Sequence, residues 1–301
     1  MQELSHGEGR ECARMDGEST VKTSKSNNPF GINPVYWERI QKMRLLDDAL
    51  MCAAMKDNIP AAQLILRTIM KKDDLVITGM TVQSEYKNLY GRSLILDVDA
   101  IDSSGKRYDI EVQRAESGAY PERGRYHMAV IDANSLEKDH PFSDLPTVYV
   151  IFITETDYFK QNRAVYHIDR TVEETGEKYG DRGHILYVNG EYKGDDPIGI
   201  LMADFRERDP GKIRNKELAD RVYDLKNRED EVRAMCRAME ITFEEGRMEG
   251  EQTTKVCDIE NIMETMGLSL AEAFKALRIQ ADEHQKYTNL IAQRSLAAGK
   301  G

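Results

Sequence analysis

Six apolar residues follow one another without interruption in Val148-Tyr149-Val150-Ile151-Phe152-Ile153, between Thr147 and Thr154. A strand with one wet face alternates apolar and polar residues, so an unbroken run predicts a strand buried on both faces. The run is the longest markedly apolar stretch in the chain and falls far short of the roughly 20 residues of a membrane-spanning helix. No hydrophobic stretch follows the start methionine as a secretory signal would. The expectation is a cytoplasmic α/β protein with no membrane partner.

Around that strand the periodicity changes in an ordered way. Residues 1–32 mix Gly, Ser, Asn, Lys and Glu without apolar spacing and read as a disordered tail. From Val35 to about Lys56, then from Ala61 to Met70 after Pro60, apolar residues recur at helical spacing and predict two helices. Leu75–Thr78, Leu94–Val98 and Tyr108–Gln113 read as three strands of an antiparallel meander, the last two joined by the tight turn Ser103-Ser104-Gly105-Lys106. A helix from Pro121 to Leu136 leads into the apolar strand. Val165–Asp169 and Ile185–Val188 read as a peripheral hairpin, and everything from about Asn215 reads as helical. Glu244–Gly250 looks like a charged, glycine-interrupted linker, followed by three short helices, the second capped by Ser269 with Glu272 three residues on. The expected division is a tail over 1–32, an α/β domain over 33–226, a charged helical linker over 227–250 and a small helical module over 251–301.

Charge and cysteine content narrow the function. A net charge of −11 argues against a surface that grips nucleic acid everywhere, although a local basic groove stays compatible with it. Four scattered cysteines, Cys12, Cys52, Cys236 and Cys257, form no CxxC unit and read as free thiols. The phosphate-binding patterns GxxxxGK[ST] and GxGxxG are absent, as is the Gly-x-Ser-x-Gly elbow, so no nucleotide cofactor or serine hydrolase is indicated.

Chemistry is concentrated on two strands. Glu111 and Gln113 are two apart and share a face of the third strand, while Asp97 sits across a short turn and meets Glu111 if the register allows. Two carboxylates there suit a hard divalent cation such as magnesium; the plain alternative is a solvated pair on a sheet face. Asp99 shares that spacing, as a further ligand or as a partner of Lys106 or Arg107. Asp47 and Asp48 on the first long helix are surface acids on the plain reading.

The order helix, three-stranded meander, helix, strand, with Asp on the second strand and Glu-x-Gln on the third, resembles the PD-(D/E)XK nuclease superfamily. More narrowly it is similar to the bacterial PD-(D/E)XK nuclease family transposases, related to recombination-promoting nucleases. The resemblance rests on Arg92-Ser-Leu-Ile-Leu-Asp97-Val, Gly105-Lys-Arg-Tyr-Asp-Ile-Glu111-Val-Gln113-Arg, Arg123-Gly-Arg125-Tyr126, Leu145–Thr154 and His184–Gly190, and covers roughly residues 34–226. It implies a restriction-endonuclease-like core, a mixed sheet flanked by helices, with a C-terminal helical extension. Asp97 and Glu111 would be metal-binding carboxylates, with the Val112 carbonyl as third ligand and Mg2+ or Mn2+ as cofactor. Gln113 stands where the superfamily usually has lysine, which predicts slower turnover. An acid from the first core helix would complete the site; Asp47 and Asp48 compete for it, and Asp48 is preferred because Met51 and Met55 follow it at plus three and plus seven.

Arg114, Arg123, Arg125 and Tyr126 are the candidate contacts to DNA phosphates, with a structural salt bridge from Arg123 or Arg125 to Glu111, Glu116 or Glu122 as the equal alternative. His127 either assists proton transfer or is packed. The resulting expectation is a metal-dependent DNA endonuclease tied to mobile elements or recombination, nucleoid-associated when bound to DNA, and dimeric through its helical segments. The rival is a nuclease-fold DNA-binding or assembly module with little turnover.

Overall fold

The computed structural model describes residues 28–88, 92–114 and 118–298. Most of the expected tail, together with Cys12 and Glu116, lies outside the described residues. Next to the start of the first helix, Phe30 meets Trp37 edge-on at 5.8 Å and Ile32 is buried.

Helix α1 spans Pro34–Lys42, started by Asn33, whose side chain accepts from the Val35 amide. The single helix expected over Val35 to Lys56 is in fact two, because the Asp47 carboxylate takes the Arg44 amide at 2.7 Å and the Leu46 amide donates to the Phe205 carbonyl. Helix α2 therefore begins afresh at Asp48 and runs to Met55, and α3 follows over Ile59–Met70. The break places Asp48 at the first position of α2 and Cys52 one turn further on the same face.

Six strands form one mixed sheet: β1 (Ile77–Tyr86), β2 (Leu94–Asp102), β3 (Arg107–Gln113), β4 (Val148–Thr154), β5 (Val165–Ile168) and β6 (Gly183–Asn189), in the order β1-β2-β3-β4-β6-β5. The meander β1-β2-β3 is antiparallel, β4 lies parallel to both β3 and β6, and β5 closes the edge antiparallel to β6. Helix α4 (Pro121–Ser135) makes the crossover from β3 to β4.

The apolar run is buried as its composition demands. Val148, Val150 and Phe152 pack with Met128, Val130 and Ile131 of α4 on one face, while Ile151 and Ile153 join the larger core formed with the other helices. The pair read as a peripheral hairpin is a correction: β6 is an interior strand, paired with β4 over its whole length, and only β5 is peripheral.

Helix α5 (Pro197–Arg206), capped by Asp196 accepting from the Gly199 amide, was not expected. Helices α6 (Lys216–Asn227) and α7 (Glu229–Met266) follow. Leu218, Val222, Leu225, Val232, Met235, Cys236 and Met239 are buried in the domain's own core, so that stripe is not left for a partner. The expected linker is continuous helix: Gly246 and Gly250 each cost about 1 kcal/mol of propensity, of which the pairs of Arg247 with Glu244 and Glu251 return only a part, about 0.3–0.5 kcal/mol each. Val256 and Ile259 at the far end of α7 pack with Phe274 of α8 (Leu270–Ala276) and Tyr287 of α9 (His284–Ala298) as a separate small core. Ser269 and Glu272 form the expected reciprocal cap. No described helix is long and apolar enough to cross a membrane.

Candidate active site

The site forms where the sheet changes its face. Leu94 and Leu96 of β2 pack on the α4 side, whereas Val98 and Ala100, which strict alternation would place with them, pack in the core on the opposite side. The reversal falls at Asp97. On β1 the facing position is Gln83, which adopts a left-handed backbone with φ 53° and is skipped in the register between Val82↔Val98 and Ser84↔Leu96. The β2–β3 ladder also ends here, at Val98↔Ile110, so β2 and β3 part at their next residues, Asp97 and Glu111.

Parting strands would leave buried amides without partners, at a cost of about 1–3 kcal/mol each. The two carboxylates prevent this reciprocally: the Asp97 amide donates to Glu111 Oε1 at 3.0 Å, and the Val112 amide donates to Asp97 Oδ2 at 3.2 Å. The antiparallel register thus brings Asp97 and Glu111 together. The Val112 side chain is buried in the core, so only its main chain can serve the site. Gln113 Nε2 lies 3.4 Å from Glu111 Oε2. Gly118 makes room for that amide, since a Cβ there would stand 2.0 Å from Gln113 Oε1.

Each face contributes a different set of neighbours. From the bundle side, exposed Asp48 and buried Cys52 of α2 approach Asp97, with their potential ligand atoms within 4.8 Å of one another. The Cys52 thiol donates to Asp48 Oδ1 at 3.2 Å. Asp47, the rival for the helix acid, instead joins Arg44, Arg114 and Glu155 in an ion-pair network, with Arg114 at 2.8 Å from Asp47 and 3.0 Å from Glu155. From the α4 side, Arg123 Nη2 bonds Glu111 Oε2 at 2.7 Å, and its Nε bonds His127 Nε2 at 3.1 Å. His127 Nδ1 meets Asp109 Oδ2 at 2.7 Å, and all of Asp109, Glu111 and His127 are buried from solvent.

The candidate phosphate contacts do not form one patch. Arg123 is the salt-bridge partner of Glu111; Arg114 is held by Asp47 and Glu155; the Tyr126 hydroxyl bonds the Arg92 carbonyl and Asn88. Arg125 is exposed and pairs with no described residue. Asp99 does not share the site face with Asp97, because the reversal lies between them; it is buried against Arg107 at 2.5 Å and accepts from the Tyr86 hydroxyl at 2.6 Å.

The electrostatics are those of an acid pocket short of positive charge. Burial, then Glu111 and Asp48, push the Asp97 carboxyl well above its usual range, against the Val112 amide and Arg123. Burial and Asp109 raise Glu111, against His127 and Arg123. Burial, Asp48 and Asp97 also push the Cys52 thiol up. Burial lowers His127 to about 4 despite Glu111, so the ring is neutral. Carboxylates that repel one another are a donor set suited to a hard divalent cation. Among the described residues the potential ligand atoms gather in two sets, Asp48 with Cys52 and Asp97, and Glu111 with Asp109 and His127, and the Asp97–Glu111 contact joins the two. His127 has no free lone pair for an ion, since Arg123 and Asp109 engage both its ring nitrogens.

Two participants escaped the sequence reading although a signal for each was present. Cys52 is four residues after Asp48 on one helix, and Asp109 is two before Glu111 on one strand.

Residues 58–191 match the family described as PD-(D/E)XK nuclease family transposase. That span contains Asp97, Glu111, Gln113 and the α4 residues but begins after Asp48 and Cys52. No curated protein and no solved structure matches the chain.

Proposed function

From the match of residues 58–191 to the PD-(D/E)XK nuclease family transposases, we propose that this protein is a divalent-metal-dependent endonuclease that hydrolyses DNA phosphodiesters in recombination or the movement of genetic elements. One observation carries the reading: Asp97 and Glu111 sit opposite each other where their strands separate, with Gln113 beside them and more carboxylates than nearby cations. Asp97, Glu111, Asp48 and the Val112 carbonyl would hold Mg2+ or Mn2+. When bound, the ion supplies Lewis-acid polarisation of the phosphodiester and lowers the pKa of water.

The chain's own groups do the rest. Gln113 offers a neutral donor and acceptor where a cation would push harder, so turnover is slow. Arg123 is placed to balance charge that develops on the phosphate, and exposed Arg125 extends the positive face of α4 toward the DNA backbone. Arg114 and Tyr126 reach phosphate only by giving up their present partners. The domain of residues 33–226 carries the chemistry with the start of α7 packed into its core, while the rest of α7 and the module beyond it serve assembly. Exposed Ile241, Phe243 and Met248 on α7 are the surface on which a homodimer would form.

Incubating supercoiled plasmid with the purified protein and Mg2+, Mn2+ or EDTA, beside Asp97→Ala and Glu111→Ala, tests the reading. Metal-dependent cutting lost in both variants is expected; cutting that survives in either refutes the assignment. The rival, a DNA-binding module with little turnover, is favoured by Arg123 already occupying Glu111 Oε2. DNA binding without cleavage under any of these metals would establish it.

A further inference from the structure

Behind the carboxylates lies a pair the cleavage chemistry leaves unused. Asp109 and His127 are both fully buried, and they begin a line of contacts: Asp109 Oδ2 to His127 Nδ1 at 2.7 Å, His127 Nε2 to Arg123 Nε at 3.1 Å, Arg123 Nη2 to Glu111 Oε2 at 2.7 Å. The roles along this line are forced. Arg123 Nε carries a single hydrogen and can only donate, so His127 Nε2 must present its lone pair. A neutral imidazole then carries its proton on Nδ1, where Asp109 accepts it.

The ring cannot turn away from these duties. Phe152 packs edge-on against it at 6.0 Å, and α4 lies close to the sheet because Gly124 lacks a side chain; a Cβ there would stand 3.0 Å from Ile185 and 3.1 Å from Phe152. A packing role would not need these polar atoms. Asp109 Oδ1 is buried with no hydrogen-bond partner among the described residues, a cost an apolar pair of similar volume would avoid. Retention of that cost beside a candidate active site points to a task.

Resting on the nuclease reading above, we propose that Asp109 and His127 are positioning residues: Asp109 locks the Nδ1–H tautomer of His127, and His127 thereby aims the Arg123 guanidinium at Glu111 and at the phosphate beside it. Arg123 so held opposes a cation at Glu111 until DNA arrives, and then stands ready to share the phosphate's charge.

The tautomer can be read without activity. Nitrogen-15 NMR of the metal-free protein at neutral pH is expected to show His127 neutral with the proton on Nδ1; a proton on Nε2 overturns the proposal. Calorimetric titration with Mn2+ is expected to show about tenfold tighter binding in His127→Phe, where Arg123, freed from its anchor, no longer stands as a fixed like charge beside the cation, whereas unchanged or weaker binding refutes it. In plasmid cleavage His127→Phe and Asp109→Leu should lose about 10- to 100-fold in kcat with KM for DNA nearly unchanged, and His127→Gln, which restores an acceptor for Arg123, should recover most of it. Equal losses in the Phe and Gln variants overturn the positioning role. Mere damage to the fold would weaken metal binding and turnover together. If the parent protein cuts no DNA, the nuclease reading fails, while the tautomer and the Mn2+ titration still decide this one.

Discussion

Replacing Asp97 by Asn should make the metal-free protein more stable while removing its response to metal. In the fold the Asp97 carboxyl is raised to about 8 from its ordinary 3.8, chiefly by burial and by Glu111 and Asp48. The folded state therefore holds the proton more tightly than the unfolded chain. Stability from this group is complete below about pH 4 and is lost progressively as pH rises to about 8. Each pH unit across that window is worth about 1.4 kcal/mol, which gives about 5 kcal/mol as an upper bound at pH 8. The repulsion is shared with Glu111 and must be counted once for the pair, leaving about 3 kcal/mol. The substituted amide would keep the bond from the Val112 amide through its carbonyl oxygen and turn an N–H donor toward Asp48. Thermal unfolding in EDTA should then show Asp97→Asn melting about 6–12 °C above the parent at pH 8, with the gap closing toward pH 4. Mn2+ at about 100 times its Kd should close the gap at pH 8, since it stabilises the parent by about 3 kcal/mol while the variant has lost a ligand for it. A variant that is less stable at pH 8, or a gap that does not change with pH, would refute the picture of a charge-strained pocket.

Gly118→Ala should cost little stability, because the displaced atom is the end of the Gln113 side chain, yet it should lower cleavage by moving that amide off Glu111; unchanged plasmid cutting would show that Gln113 does not act from its present position. Lys226→Met should destabilise the domain by about 3 kcal/mol, about 1 kcal/mol for each abandoned carbonyl. The buried Nζ donates to Gln41, Met43 and Arg208 carbonyls at 3.1, 2.7 and 2.6 Å, and urea unfolding reads the loss. A midpoint that does not move would mean those carbonyls find water instead.

Much of the fold was legible because it depends on local pattern. The meander, the α4 crossover and the doubly buried β4 follow from alternation, turn residues and the unbroken apolar run. The interior placement of β6 did not, since a short strand with His184 and Tyr187 looks half-polar until the aromatic packing of Tyr187 with Phe152 and Tyr158 is known. Helix α1 and α2 were merged because one hydrogen bond, Asp47 to the Arg44 amide, ends a pattern that apolar spacing alone would continue. The helical linker continues without a break through Gly246 and Gly250, because two glycines weaken a helix without ending it and the pairs of Arg247 return part of the cost.

At the site the division is sharper. Sequence alone determined which residue types are present, that Glu111 and Gln113 share a strand face, and that Asp97 lies within a turn of them, because strand periodicity is a property of the backbone. Only the tertiary structure decided that β2 reverses its face at Asp97, which joins Asp48 and Cys52 from one side of the sheet to Glu111, Arg123 and His127 from the other. It also separated Asp99 and Asp47 into ion pairs of their own and buried Asp109 behind His127. Those outcomes depend on where strands part and which charges find partners across the chain, and side-chain pairing between distant segments leaves no periodic trace in the sequence.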